Sequence, residues 1–167
     1  YRQTSVHENA AAEVVDPLNS LLWRFRRRRL QGEQLRDSVL AVSGRLQLDR
    51  VGGLPIFPPL PPEVERAAKV YNKYRWFSDH SPEGRRRSIY VSVNRNFLSP
   101  MMLAFDTPIP FNAIGRRTVS NVPAQALILM NDPFVIQQAQ LWAKRELADS
   151  DVAPADRINR LYEQAFA

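Results

Sequence analysis

The chain has 167 residues, 44% of them hydrophobic, and a formal net charge of +6. That length and apolar content suit one ordinary core, hence a single domain over 1–167. With no cysteine, disulfides, thiolate metal sites, thiol catalysis and thioether-attached haem are excluded within the segment, and the basic balance favours acidic or polyanionic partners without specifying a fold.

Residues 1–15 are polar and alanine-rich, without a clear period. Asp16-Pro17 reads as a helix start, an N-cap acid followed by proline in the first turn. Leu18, Leu21, Leu22 and Phe25 follow at helical spacing, with Trp23 alongside. The arginine block Arg26 to Arg29 interrupts them. A second helix is predicted from Glu33 to Ser43 on Leu35, Val39, Leu40 and Val42, with Gly44 just past its end. Residues 51–62 carry too much proline and glycine for helix or central strand and read as an ordered extended connection. A short helix is expected from Glu63 to Tyr74. Ile89, Val91 and Val93 then alternate with Tyr90, Ser92 and Asn94, which predicts a strand over 87–94.

Ser99-Pro100 starts another helix, and 106–122 is a long loop. Pro123 opens a helix to Met130. Asp132-Pro133 opens one over 133–149, with Val135, Ile136, Ala139, Leu141, Trp142 and Leu147 on or near its buried face. A last helix runs from Pro154 past Tyr162. The expected fold class is mainly α, an irregular helical domain with long ordered loops and at most one short strand pair. No apolar run is long enough to span a bilayer. Tyr1 at the start and Ala167 inside an amphipathic pattern are the ends expected of a piece cut from a longer polypeptide.

Twenty of the 23 basic residues are arginine, whose rigid fork holds carboxylate, phosphate or sulfate at two points and stacks on aromatic rings. Arg24, Arg28, Arg29, Glu33, Arg36 and Asp37 fall within about three helical turns. They are expected to interlock as a structural ion-pair network, with an external anion site as the alternative. Arg86, Arg87, Asp106, Arg116 and Arg117 form the second set. Either Asp106 takes an arginine fork and fixes the long loop, or the five converge on an anion-binding cluster.

An acid such as Asp106, Asp132 or Glu33 facing those arginines would open a catalytic role, but no catalytic residue is singled out. His7 and His80 have no second ligand at metal spacing, so no metal site is predicted. Ser43 and Ser88 lack the surroundings of a nucleophile. Pro58 to Pro61 fits a polyproline ligand formally and reads better as a strap packing Phe57 and Leu60 on the core. Trp23, Trp76 and Trp142 read as core. No nucleic-acid motif is present, so only nonspecific, salt-sensitive binding is expected there.

The order of short motifs carries a resemblance. Tyr1-Arg2-Gln3, Asp16-Pro17-x-Asn19-x-Leu21-Leu22-Trp23-Arg24, Arg28-Arg29-Leu30, Leu35-Arg36-Asp37 and Ala41-Val42-Ser43-Gly44-Arg45-Leu46 come first. Gly52-Gly53, Phe57-Pro58-Pro59-Leu60-Pro61, Trp76, Arg86-Arg87-Ser88-Ile89-Tyr90-Val91, Phe105-Asp106, Arg116-Arg117-Thr118, Pro123-x-Gln125-Ala126-Leu127 and Asn131-Asp132-Pro133-Phe134 follow. Taken together, they resemble the C-terminal planctomycete-specific domain of unknown function found in large planctomycete cytochrome-c-linked proteins. The resemblance covers nearly the whole chain.

It implies an extracytoplasmic accessory or interaction domain of a multidomain parent, with the parent's other domains as partners. It also implies haem c elsewhere in that parent and no cofactor in this segment. An acidic or sulfated polysaccharide is the expected anionic ligand. A polysaccharide-active enzyme and a redox-partner docking domain are the alternatives. Two departures stand out: Ile114-Gly115 replaces the family's frequent Cys-Pro before Arg-Arg-Thr, and Arg26 stands where a proline is common.

Overall fold

The computed structural model describes residues 3–71 and 78–166. Among these residues the chain forms seven α-helices and no sheet. They are α1 (Ala10–Val15), α2 (Gly32–Val42), α3 (Pro62–Tyr71), α4 (Pro100–Ala104), α5 (Pro123–Asn131), α6 (Pro133–Leu147) and α7 (Pro154–Phe166). Two compact units emerge, Tyr1–Leu30 and Gln31–Ala167. The end of the predicted helix over 63–74 and the predicted core residue Trp76 lie outside the described residues.

In the N-terminal unit Asn9 caps α1, its side-chain oxygen accepting from the Ala12 amide at 3.0 Å. The helix expected at Asp16-Pro17 does not form. The Asp16 carboxylate accepts instead from the amides of Ser20 at 2.8 Å and Leu21 at 2.6 Å, four and five residues on, where a cap would take the second or third. Asn19 and Leu22 then adopt positive φ values of 53° and 58°, which a right-handed helix does not contain. Leu18 and Leu21, two of the residues that supplied the helical period, remain exposed. Residues 16–25 are therefore a hydrogen-bonded loop, closed by Trp23 Nε1 on the Asp16 carbonyl at 2.9 Å and by the Phe25 amide on the Thr4 carbonyl at 3.0 Å.

The second unit is arranged around α2. Gln31 and Gln34 cap its start reciprocally, the Gln31 amide donating to Gln34 Oε1 at 3.1 Å. Gly44 follows its end at φ 72°, a conformation glycine adopts without steric cost. α2 packs against α4, α6 and a 3-10 turn at Ser88–Tyr90, while α5 packs against α4 and α6. The apolar core is small: Leu40, Ile56, Leu60, Met101, Met102 and Phe105. Buried polar side chains of the same unit (Arg36, Ser43, Arg86, Ser88, Gln125, Gln138 and Glu146) are as numerous, so hydrogen bonds specify this interior as much as apolar packing does.

Two expectations are corrected by that polar interior. The strand over 87–94 is absent; the segment makes the 3-10 turn and one isolated bridge between Ile56 and Val91. The Ile56 amide donates to the Tyr90 carbonyl and the Ser92 amide to the Ile56 carbonyl, both at 2.9 Å. Pro55, Pro58 and Pro59 on the facing segment have no amides to extend that ladder. On α6 Val135, Leu141 and Trp142 are half-buried as expected, but the fully buried side chains are Gln138 and Glu146, while Ile136, Ala139 and Leu147 face solvent. In the proline-rich stretch before α3, which bends at Gly52 and Gly53 (φ 76° and 90°), Leu60 is buried and packs with Phe57, Val64 and Phe97.

Candidate functional site

Arg36 on α2 is nearly inaccessible at 4% exposure. Its guanidinium donates to the Gly84 carbonyl at 2.7 Å, the Arg86 carbonyl at 3.0 Å and Ser88 Oγ at 3.1 Å. It also lies 5.7 Å from the Phe134 ring centroid. Asp37 is 3.7 Å away and accepts from the amide and hydroxyl of Ser88, each at 2.7 Å. Desolvation lowers the Arg36 pKa to about 10, with Asp37 opposing the shift. The arginine therefore stays charged at neutral pH, its fork filled by acceptors on the chain's own 84–88 segment.

Arg86 repeats the arrangement one layer on. Its two terminal nitrogens bond the carbonyls of Gly52 and Leu54, and its guanidinium lies 4.8 Å from the Tyr90 ring centroid. Nε sits 3.3 Å from Glu83 Oε2, an ion-pair distance without hydrogen-bond alignment. Arg50 holds the other Glu83 oxygen at 2.7 Å. Arg50, Leu54, Ile56, Asp79, Glu83 and Arg86 border an open cleft of about 260 Å³. Both arginines in that cleft face Glu83, and Asp79 Oδ1 accepts from the Ser81 amide at 2.9 Å.

The remaining members of the predicted loop cluster are engaged apart from one another. Asp106, at φ 59°, accepts from the amide of Ser120 at 2.7 Å and from its hydroxyl at 2.9 Å. It thus closes the 106–122 loop through a serine where an arginine fork was expected. Arg117 makes a two-point pair with Glu33 at 2.7 and 2.9 Å and reaches Gln31 at 2.9 Å. The Arg117 hydrogen bond holds the Glu33 carboxyl below its usual pKa, against the opposing effect of burial. Arg87 and Arg116 are exposed. Among the described residues no hydrogen bond or ion pair between side chains joins any two of the five, and Arg86 has its terminal nitrogens committed to carbonyls.

The expected network over Arg24 to Asp37 also divides. Without a helix through 24–31, these residues are not stacked at successive turns. Glu33 pairs with Arg117, Arg36 and Asp37 bind the 84–88 segment, Arg29 is engaged, and Arg24 and Arg28 make no ion pair among the described residues. Arg24 instead stacks on Trp23, 4.7 Å from the ring centroid.

The N-terminal unit holds the cationic pocket that sequence reasoning did not delimit. Ser5, Asn19, Arg24, Phe25, Arg26 and Arg27 are among the side chains around a cavity of about 290 Å³, and no carboxylate lines it. Asn19 builds one wall. Its side chain clamps the Arg24 backbone, donating to the carbonyl at 2.8 Å and accepting from the amide at 3.2 Å. Its own carbonyl accepts from Arg26 Nη2 at 3.3 Å. Arg24 and Arg27 have no side-chain acceptor among the described residues.

Over residues 1–167 the sequence matches PSD1, described as a protein of unknown function (DUF1553). The chain belongs to the PSD1 family. No curated protein and no solved structure matches it. In this PSD1 chain the run Asp16-Pro17-x-Asn19-x-Leu21-Leu22-Trp23-Arg24 forms the loop that presents the cationic pocket. The available signal was an Asx-rich segment beside arginines that lacked acids at helical spacing.

Proposed function

We propose that this PSD1 chain is a non-catalytic binding module for an anionic ligand, held in the pocket of its N-terminal unit. One observation carries the reading: Arg24, Arg26 and Arg27 border one cavity that no carboxylate lines. Elsewhere the buried arginines Arg36 and Arg86 are taken up by internal carbonyls and acids. Arginines that line a cavity without a carboxylate favour two-point recognition of oxyanions. With the family resemblance, the reading is of an extracytoplasmic accessory domain in a cytochrome-c-linked multidomain protein, taking acidic or sulfated polysaccharide.

The enzyme alternative looks to Asp106, Asp132 or Glu33, which accept from Ser120, the Phe134 amide and Arg117 respectively. The second unit's cleft adds two further carboxylates, Asp79 and Glu83. Both Glu83 oxygens face arginines and Asp79 accepts a backbone amide, which favours binding over proton transfer. Redox-partner docking rests on the resemblance alone.

Equilibrium titration with sulfated, carboxylated and neutral oligosaccharides, at low and near-physiological salt, tests the proposal. Anionic glycans are expected to bind and to retain measurable affinity in salt, with Arg27→Ala weakening them about tenfold. Equal binding of neutral glycans, or binding of anionic ones indifferent to Arg27→Ala, would overturn it.

A further inference from the structure

The shape and charge of the N-terminal pocket narrow the ligand further, an inference that rests on the anion-binding reading. Three arginines, Arg24, Arg26 and Arg27, and one serine, Ser5, are among the residues that line the cavity. Arg24 stacks on Trp23 and Arg26 donates to the Asn19 carbonyl, which leaves both charges in place. A carboxylate offers two coplanar oxygens and one negative charge. One arginine fork satisfies it, leaving the positive charge of the other two lining arginines unmatched. A sulfate ester offers three terminal oxygens but still one charge. A phosphate monoester offers three oxygens and roughly −1.5 to −2 charge at pH 7, the closest match in charge to a lining with three arginines and no carboxylate.

The cavity is larger than the head group. At about 290 Å³ it approaches the lower end of small-molecule sites, roughly 300 Å³, and an oxyanion alone leaves most of it empty. Pro17, Leu18 and Phe25 border the space along with the arginines and supply apolar contact for a small carrier. We propose that the pocket selects a divalent tetrahedral oxyanion presented as a phosphate monoester on a sugar-sized carrier.

The test is calorimetric titration of the full chain with glucose 6-phosphate, glucose 6-sulfate, glucuronate, inorganic phosphate and inorganic sulfate, at pH 7 and pH 5. Glucose 6-phosphate is expected to bind about tenfold tighter than the sulfate ester or glucuronate, and tighter than inorganic phosphate. Its affinity should fall towards pH 5, because the second proton binds a phosphate monoester near pH 6. Inorganic sulfate, a dianion at both pH values, is expected to change little. His7, Glu8, Glu13 and Asp16 are the other titratable groups among the unit's described residues, and the sulfate titration is the control for their effect.

Arg26→Ala and Arg27→Ala should each weaken glucose 6-phosphate about tenfold, whereas Arg95→Ala, an exposed arginine of the other unit, should not. Arg27 is exposed and without a side-chain acceptor among the described residues, so Arg27→Ala is expected to leave the melting transition unchanged. Arg26→Ala also removes the bond to the Asn19 carbonyl and is read together with its own melting transition. Equal affinity for glucose 6-sulfate or glucuronate would overturn the divalent selection and leave an anion pocket standing. Inorganic phosphate binding as tightly as the ester would overturn the carrier. Absence of any binding sensitive to Arg27→Ala would overturn both this inference and the binding-module reading.

Discussion

Arg36 shows how one buried charge can order a segment far from it in sequence. Its fork joins α2 to the carbonyls of Gly84 and Arg86, and Arg36→Ala would strand those acceptors together with Asp37. The expected loss is about 3–5 kcal/mol, read by chemical denaturation; Arg36→Lys keeps the charge but not the fork, and should recover only part of it. The pKa of about 10 means burial disfavours the charged form. The unfolded chain then binds the extra proton above pH 10, so this residue's contribution to stability rises only in that alkaline range and is flat at neutral pH.

Glu33 carries the opposite sign. Its folded carboxyl titrates below its unfolded value because Arg117 bonds to it, so the pair's stabilisation is present above the unfolded pKa and lost as pH falls through the folded one. Glu33→Gln should cost about 1 kcal/mol at pH 7 for this partly exposed pair. The gap between variant and wild type should close on acidification, and a gap unchanged as the carboxylates protonate would contradict the assignment. At this scale the sequence showed which residue types mattered, since Glu33, Arg36, Asp37, Arg86, Asp106 and Arg117 all make specific contacts. It did not show the partners, because carbonyl acceptors such as those of Gly84, Gly52 and Leu54 leave no side-chain signature.

At the scale of elements, turns are what hold the long connections. A Cβ at Gly84 would lie 2.3 Å from the Asp79 carbonyl oxygen, a backbone atom that cannot swing aside. Gly84→Ala is therefore expected to cost at least about 2 kcal/mol and to loosen the 79–86 segment, visible as faster exchange of the Arg86 amide. Asp106 fixes the other long loop through Ser120. Asp106→Ala should speed trypsin cleavage after Arg116 and Arg117, while Asp106→Asn, tolerant of positive φ, should fall between. Helix positions from α2 onward were legible from caps and prolines: Gly44, Ser99-Pro100, Pro123 and Asp132-Pro133 all sit at the ends expected of them. Asp16-Pro17 misled because the same acid can cap a helix or tie an irregular loop, and only Asn19 and Leu22 at positive φ decide between these. The strand over 87–94 failed for a related reason: alternation marks an extended face, but a proline-rich neighbour cannot complete the ladder.

For the whole molecule, the arginines divide into two populations. In the second unit Arg36, Arg86 and Arg117 are bound to the chain's own acceptors, and their charge is architectural. In the N-terminal unit Arg24, Arg26 and Arg27 surround a cavity without a carboxylate. Composition alone announced the choice between architecture and anion site, but not that one group of arginines lines a cavity without a carboxylate while another binds the chain's own acceptors. The direct test follows the side-chain Nε–Hε resonances of the arginines by NMR while sulfate is added at near-physiological salt. The Arg24, Arg26 and Arg27 signals are expected to shift together along one saturating curve, while those of Arg36, Arg86 and Arg117 stay in place. Small linear shifts spread over all exposed arginines, with no saturation at the three pocket residues, would contradict the account.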